Sequence, residues 1–165
     1  MKVTTWLSLC SAVVALLSLV ATCFFSMKAR RAAREAKAIA VGQAETSLRT
    51  MISASRQRVE DFAVQIGALL EGRRLTELDA REIRRMEPLQ RALRSAVEAN
   101  MNAYEDACAK YLDGKIDKER FQEMYVDEIK TLCEEKDSLI ADLLHPKERS
   151  PFRSIWKVYS DWFSD

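Results

Sequence analysis

The stretch NMNAYEDACAKYLDGKIDKERF, residues 100–121, decides the fold. Met101, Tyr104, Cys108 and Tyr111 recur at three- and four-residue steps, which sets them on one face of a helix. Gly114 supplies a residue that takes a left-handed conformation without a Cβ clash, the usual way to end a helix. Asp117 then stands where a side-chain oxygen caps a second helix, with Ile116 and Phe121 as the apolar pair that staples its first turn. Helix, tight turn and capped helix make a hairpin.

Working outward, the first face extends back through Leu89, Leu93 and Val97, giving a helix from Pro88 to about residue 113. The second face carries Phe121, Met124, Tyr125, Ile129, Leu132, Ile140 and Leu143 until His145-Pro146 stops it. Ser150-Pro151 opens a last helix, whose Phe152, Ile155, Trp156, Tyr159 and Phe163 share one side. Upstream, EGRRLTELDAREIRRMEP (71–88) reads as a turn and a short helix, with Asp79 and Glu82 at capping-box spacing. Before it lies a heptad seam, Leu48, Ile52, Ser55, Val59, Phe62, Ile66 and Leu69, which Glu45 and Ser55 weaken. The seam packs either on the chain's own next helix or on further copies of itself. Gly42 and Gly67 are candidate breaks in an otherwise continuous helix.

The N-terminal side has a different character. Between Lys2 and Lys28 lie 25 uncharged residues, VTTWLSLCSAVVALLSLVATCFFSM. As a helix they extend roughly 37 Å, enough to cross a hydrocarbon core of about 30 Å with some tilt. The run is long for a cleaved signal, and Thr22 with Phe24-Phe25 fits poorly with a lipoprotein site at Cys23. The expectation is a retained transmembrane helix. Lys28, Arg30, Arg31, Arg34 and Lys37 follow it and place the C-terminal side in the cytoplasm, where these cations can also lie on anionic headgroups.

Composition narrows the function. With 26 Lys and Arg against 25 Asp and Glu, the net charge is +1, which gives no reason to expect nucleic acid as the main partner. The chain has one histidine, no glycine-rich phosphate loop and no Cys-x-x-Cys pair, so catalytic residues, metal ligands and a cofactor are not expected. A helical ribonuclease of the HEPN class would need arginine at 138, 139 or 140 to serve His145, and Ser138, Leu139 and Ile140 stand there. Cys108 and Cys133 sit too far apart along a hairpin to bridge.

Asn102, Tyr104, Glu105, Gly114, Ile116, Asp117 and Phe121, with the aromatic tail from Phe152 to Trp162, resemble the pattern of a bacterial family. Its members have one N-terminal span and a cytoplasmic helical domain of unknown function, and occur near phage-defence genes. The resemblance implies an anchored accessory protein of anti-phage defence. For Tyr104 and Glu105 the residues themselves point to structure: a ring in the helical core and a carboxylate bonding a neighbouring helix.

The sequence thus predicts an all-α protein: one N-terminal transmembrane helix followed by a cytoplasmic helical bundle or coiled-coil-like hairpin. Its parts are an anchor (1–28), a juxtamembrane helix with the seam (29–74) and a helical domain (75–165). The function expected is a non-enzymatic interaction or accessory module in a bacterial inner membrane. An oligomeric pore is the alternative, and a degenerate nuclease a more distant one. Self-association is expected through Leu48, Ile52, Val59, Phe62, Ile66 and Leu69, and docking of a protein partner through Phe152, Trp156, Tyr159 and Phe163.

Overall fold

The computed structural model describes residues 3–74, 77–136 and 138–163, with side chains described at 19, 22 and 24 onward within these ranges. Among them the protein is all-helical: α1 (Val3–Leu70), α2 (Ala80–Leu112), α3 (Lys118–Glu134), α4 (Ala141–Leu144), a 3-10 turn (Lys147–Arg149) and α5 (Arg153–Phe163). The chain divides into two compact units, Met1–Gly42 and Gln43–Asp165. The seam residues therefore belong with the helical domain.

The first unit is the N-terminal part of α1. Its described side chains up to Ala40, including Phe24, Phe25, Met27 and the basic run that follows, are exposed. Most side chains of the uncharged stretch, 3–18, 20, 21 and 23, lie outside the described residues. Among the described residues, no helix is long and apolar enough to cross a membrane. Helix α1 itself runs unbroken for 68 residues through Gly42 and Gly67. It ends where Glu71 and Gly72 take positive φ of 47° and 79°.

The second unit is a bundle whose register can be read from its polar contacts. Ser55 meets Asn100, and 18 residues further on Arg73 meets Glu82, 18 residues earlier, so α1 and α2 run antiparallel. Glu45 accepts from the Asp117 amide and from Arg120, while Arg56 reaches Glu128, so α3 runs parallel to α1. Ser154 meets Glu105 and Trp162 meets Tyr111, which lays α5 parallel to α2. The core between them holds Leu48, Ile52, Val97, Met101, Tyr104, Cys108, Ile129, Leu144, Ile155 and Val158. Full burial of one such apolar side chain is worth about 1.5–3 kcal/mol.

The turn chemistry acts as its residue types require. The Asp79 carboxylate accepts from the Arg81 and Glu82 amides at 2.7 Å, and Glu82 accepts in return from the Asp79 amide at 2.9 Å. Gly114 has φ 65°, and the Lys115 amide donates back to the Lys110 carbonyl at 2.9 Å. Asp117 accepts from the Arg120 amide at 3.1 Å, with Ile116 and Phe121 both buried beneath the cap.

Two boundaries differ from the sequence reading. The short helix before Pro88 and the long helix after it are one element, Ala80–Leu112. Pro88 and Arg84 are both exposed, so water can serve the carbonyl that the proline leaves without a donor. The hairpin's second helix stops at Glu134, about ten residues short of His145. Its last turn has no basic residue, and the adjoining Glu134-Glu135 pair opposes the helix dipole. Ser138 Oγ then accepts from the Ala141 amide at 3.3 Å and starts α4.

Candidate functional site

The polar residues at the helix interfaces form two closed arrangements. In the first, Arg56 Nη2 donates to the Tyr104 hydroxyl and to Glu128 Oε1, each at 2.7 Å. The Tyr104 hydroxyl donates to Glu128 Oε2, also at 2.7 Å. This triangle joins α1, α2 and α3. Burial above all, and then the Glu128 carboxylate, pushes the Tyr104 phenol above its ordinary value. The hydrogen bond to Glu128 raises Arg56 against the opposing effect of burial. A phenol held protonated beside a carboxylate already engaged by a guanidinium is a clamp between helices, unlike an activated nucleophile.

In the second, Glu105 on α2 reaches the start of α5. Its two oxygens accept from the Ser154 amide at 2.8 and 3.0 Å, and Oε2 also accepts from the Ile155 amide at 3.1 Å. A carboxylate on these first amides satisfies donors that α5 cannot satisfy itself and meets the positive end of the helix dipole. Ser150 contributes more locally, accepting from the Phe152 amide at 3.3 Å.

The four tail residues face different surroundings. Phe152 and Trp156 are buried in the chain's own core, and the Trp156 indole donates to the Leu144 carbonyl at 3.1 Å. Tyr159 and Phe163 are half-buried; the Tyr159 hydroxyl donates to Glu134 at 2.9 Å, and Lys130 lies 5.6 Å from the Phe163 ring. At the other end of α5, Trp162 stacks edge-on against Tyr111 at 5.4 Å and packs by Phe121, which ties α5 to α2 and α3.

The seam is likewise drawn into its own domain. Leu48 and Ile52 are buried, and Ser55 Oγ meets Asn100 Oδ1 at 2.8 Å in a buried contact. The antiparallel register puts Val59, Phe62, Ile66 and Leu69 about level with Ala96, Leu93, Leu89 and Met86. All four are half-buried. The basic flank, Lys28, Arg30, Arg31, Arg34 and Lys37, is exposed, with Arg31 paired to Glu35 at 3.1 Å.

Cys108 and Cys133 are free and buried. Burial pushes the Cys133 thiol up to about 12 and the Cys108 thiol further, so both stay protonated at neutral pH. Among the described residues, no three His, Cys, Asp or Glu side chains gather where a metal could sit.

A concavity of about 380 Å³ opens along one side of α5. Lys147, Glu148, Arg153, Trp156, Lys157 and Ser160 line it. Lys147 Nζ donates to Ser160 Oγ at 2.9 Å and lies 5.5 Å from the Trp156 ring centroid. Reading the tail for aromatics alone missed this face, although Arg153 and Lys157, one turn apart, were its visible signal.

Comparison of the chain with protein-family models, curated proteins and solved structures finds no match.

Proposed function

We propose that this chain is a membrane-anchored, non-enzymatic helical interaction protein whose bundle faces the bacterial cytoplasm. The observation that carries the reading is the run of 25 uncharged residues between Lys2 and Lys28, long enough as a helix to cross a bilayer. The run of five cations after the stretch supports the cytoplasmic orientation.

The interaction role is supported by how the polar residues are used. Arg56, Tyr104, Glu128 and Glu105 hold helices together, which suits a scaffold that presents surfaces. The likeness of residues 100–121 and the aromatic tail to a bacterial family of single-span proteins with a helical domain of unknown function, found near phage-defence genes, agrees with that role. Self-association belongs to the same proposal, through the outward edges of Val59, Phe62, Ile66 and Leu69.

The test is alkaline carbonate extraction of membranes from cells expressing the full chain, with protease added to spheroplasts. The wild type is expected in the pellet with its bundle protected, and Leu16→Arg with Leu17→Arg is expected to release it. Recovery of the wild type in the supernatant would refute the anchor. Light scattering of the detergent-solubilised chain gives its mass, and a monomer would refute self-association.

A further inference from the structure

We infer that the buried Ser55–Asn100 pair selects the register in which α1 packs on α2. Each residue is 8% exposed, and the Ser55 hydroxyl donates to Asn100 Oδ1 at 2.8 Å. The apolar contacts around the pair do not choose a register by themselves. Leu48, Ile52, Val59, Phe62, Ile66 and Leu69 repeat with the heptad, so α1 can move by seven residues and set one apolar side chain where another stood.

The two directions of this move differ. In one, Glu45 takes the place of Ile52, which is 3% exposed, and a carboxylate would be buried there without a partner. In the other, Val59 takes the place of Ile52, Ile66 of Val59 and Leu69 of Phe62, apolar for apolar throughout. Residues 71–79, between the helices, reach far enough to follow this move of about 10 Å. What opposes it is the polar pair. Ser55 would stand in the place of Leu48, and Phe62 would face Asn100. Ser55 can fall back on the Ile52 carbonyl of its own helix, 2.9 Å from its hydroxyl, so the penalty falls on the Asn100 amide, buried against an aromatic ring. The ion pairs oppose the move less. The Arg56 and Arg120 side chains are 47% and 63% exposed and return to water, while Tyr104 and Glu128 keep each other. A single polar contact in an apolar seam fixes register in coiled coils at some cost in stability, and the same physics applies here. On the self-association proposed above, the register also decides which of Val59, Phe62, Ile66 and Leu69 keep an outward edge for a second copy. Since only the bundle is involved, the pair acts alike in a monomer and an oligomer.

The experiment measures the register in the full chain, in neutral detergent, by double electron–electron resonance. Spin labels go on Gln57→Cys and Arg84→Cys, both exposed positions, with Cys10→Ala and Cys23→Ala in the background. Cys108 and Cys133 are buried and stay unlabelled. Dilution with unlabelled protein confines the signal to distances within one chain. The labels lie two heptads apart along the hairpin, and the move lengthens that separation by about 10 Å. The test variant is Ser55→Val with Asn100→Leu, which removes both partners and is expected to melt at or above the wild-type temperature. Its longer-distance population should exceed that of the wild type by at least about tenfold. The exchanged pair, Ser55→Asn with Asn100→Ser, should return the single wild-type distance. Three outcomes overturn the proposal: an apolar variant that keeps only the wild-type distance, an exchanged pair that shows the longer distance as often as the apolar variant, or loss of the fold in the apolar variant, which would make the pair a source of stability and not of register.

Discussion

Replacing Glu105 with alanine isolates the contact that closes the bundle. The substitution strips the acceptors from the Ser154 and Ile155 amides, which the carboxylate holds at 2.8–3.1 Å. Hydrogen bonds to a charged partner contribute about 1.5–3 kcal/mol, and loss of an ordinary helix cap costs about 0.5–2 kcal/mol. The site is only partly buried, so water can reach the abandoned amides and the lower part of the range applies, about 2 kcal/mol. For a unit of about 120 residues, 1 kcal/mol moves Tm by about 4 °C, so Glu105→Ala should lower it by about 8 °C. Glu105→Gln keeps an acceptor and loses the charge, and about half that drop is expected. The assay is thermal unfolding of the full chain in mild detergent, followed by tryptophan emission, because Trp156 and Trp162 report on α5 directly. If Glu105→Ala melted within about 2 °C of wild type, the carboxylate would not be holding the helix.

Tyr104→Phe should cost about 1 kcal/mol at neutral pH, since Arg56 and Glu128 keep each other when the hydroxyl is gone. The difference is lost in alkali. The phenol is raised above 10.0 in the folded protein, so the stability it contributes is complete below pH 10 and falls as pH rises beyond it. Wild type and variant should therefore converge above pH 10 in melts run across that range; parallel curves would refute the coupling. At the acid end, Asp79 and Glu82 are both lowered, first by the amides they cap. Their contribution is present above ordinary carboxylate values of 3.8 and 4.5 and is lost as pH falls below them. Protection factors of the residue 80–84 amides, measured against the unprotected rate at each pH, should fall over that acid range in wild type and be low at every pH in Asp79→Ala with Glu82→Ala.

How much of this was legible depended on the range of the forces involved. Gly114, Asp117, and the Asp79–Glu82 pair act within four residues, and their spacing reveals them directly. The apolar faces of α2 and α5 were visible for the same reason. Pro88 misled because its cost depends on whether the orphaned carbonyl reaches water, which the bundle decides by leaving that face exposed. The hairpin's second helix was drawn too long because apolar spacing continues past Glu134, while the acidic C-terminus breaks the helix. Glu105 illustrates the outer limit. Its neighbour in space is 49 residues away, so the sequence suggested a bond to another helix and could not say which. The seam raised the same difficulty, since a heptad does not name the helix it packs on, and Asn100 opposite Ser55 had no local signal.

The dependence of α5 on Glu105 has a consequence for the order of events during translation. Until residues 152–163 have left the ribosome, the surface formed by Met101, Cys108 and Ile129 lacks part of its cover, and the Glu105 carboxylate has no helix start to bind. Chain elongation at about 5–20 residues per second leaves that surface open for seconds, while α2 and α3 are already able to pair. If the N-terminal stretch has by then entered the bilayer, the half-built domain waits tethered at the membrane, where neighbouring nascent chains present the same gap.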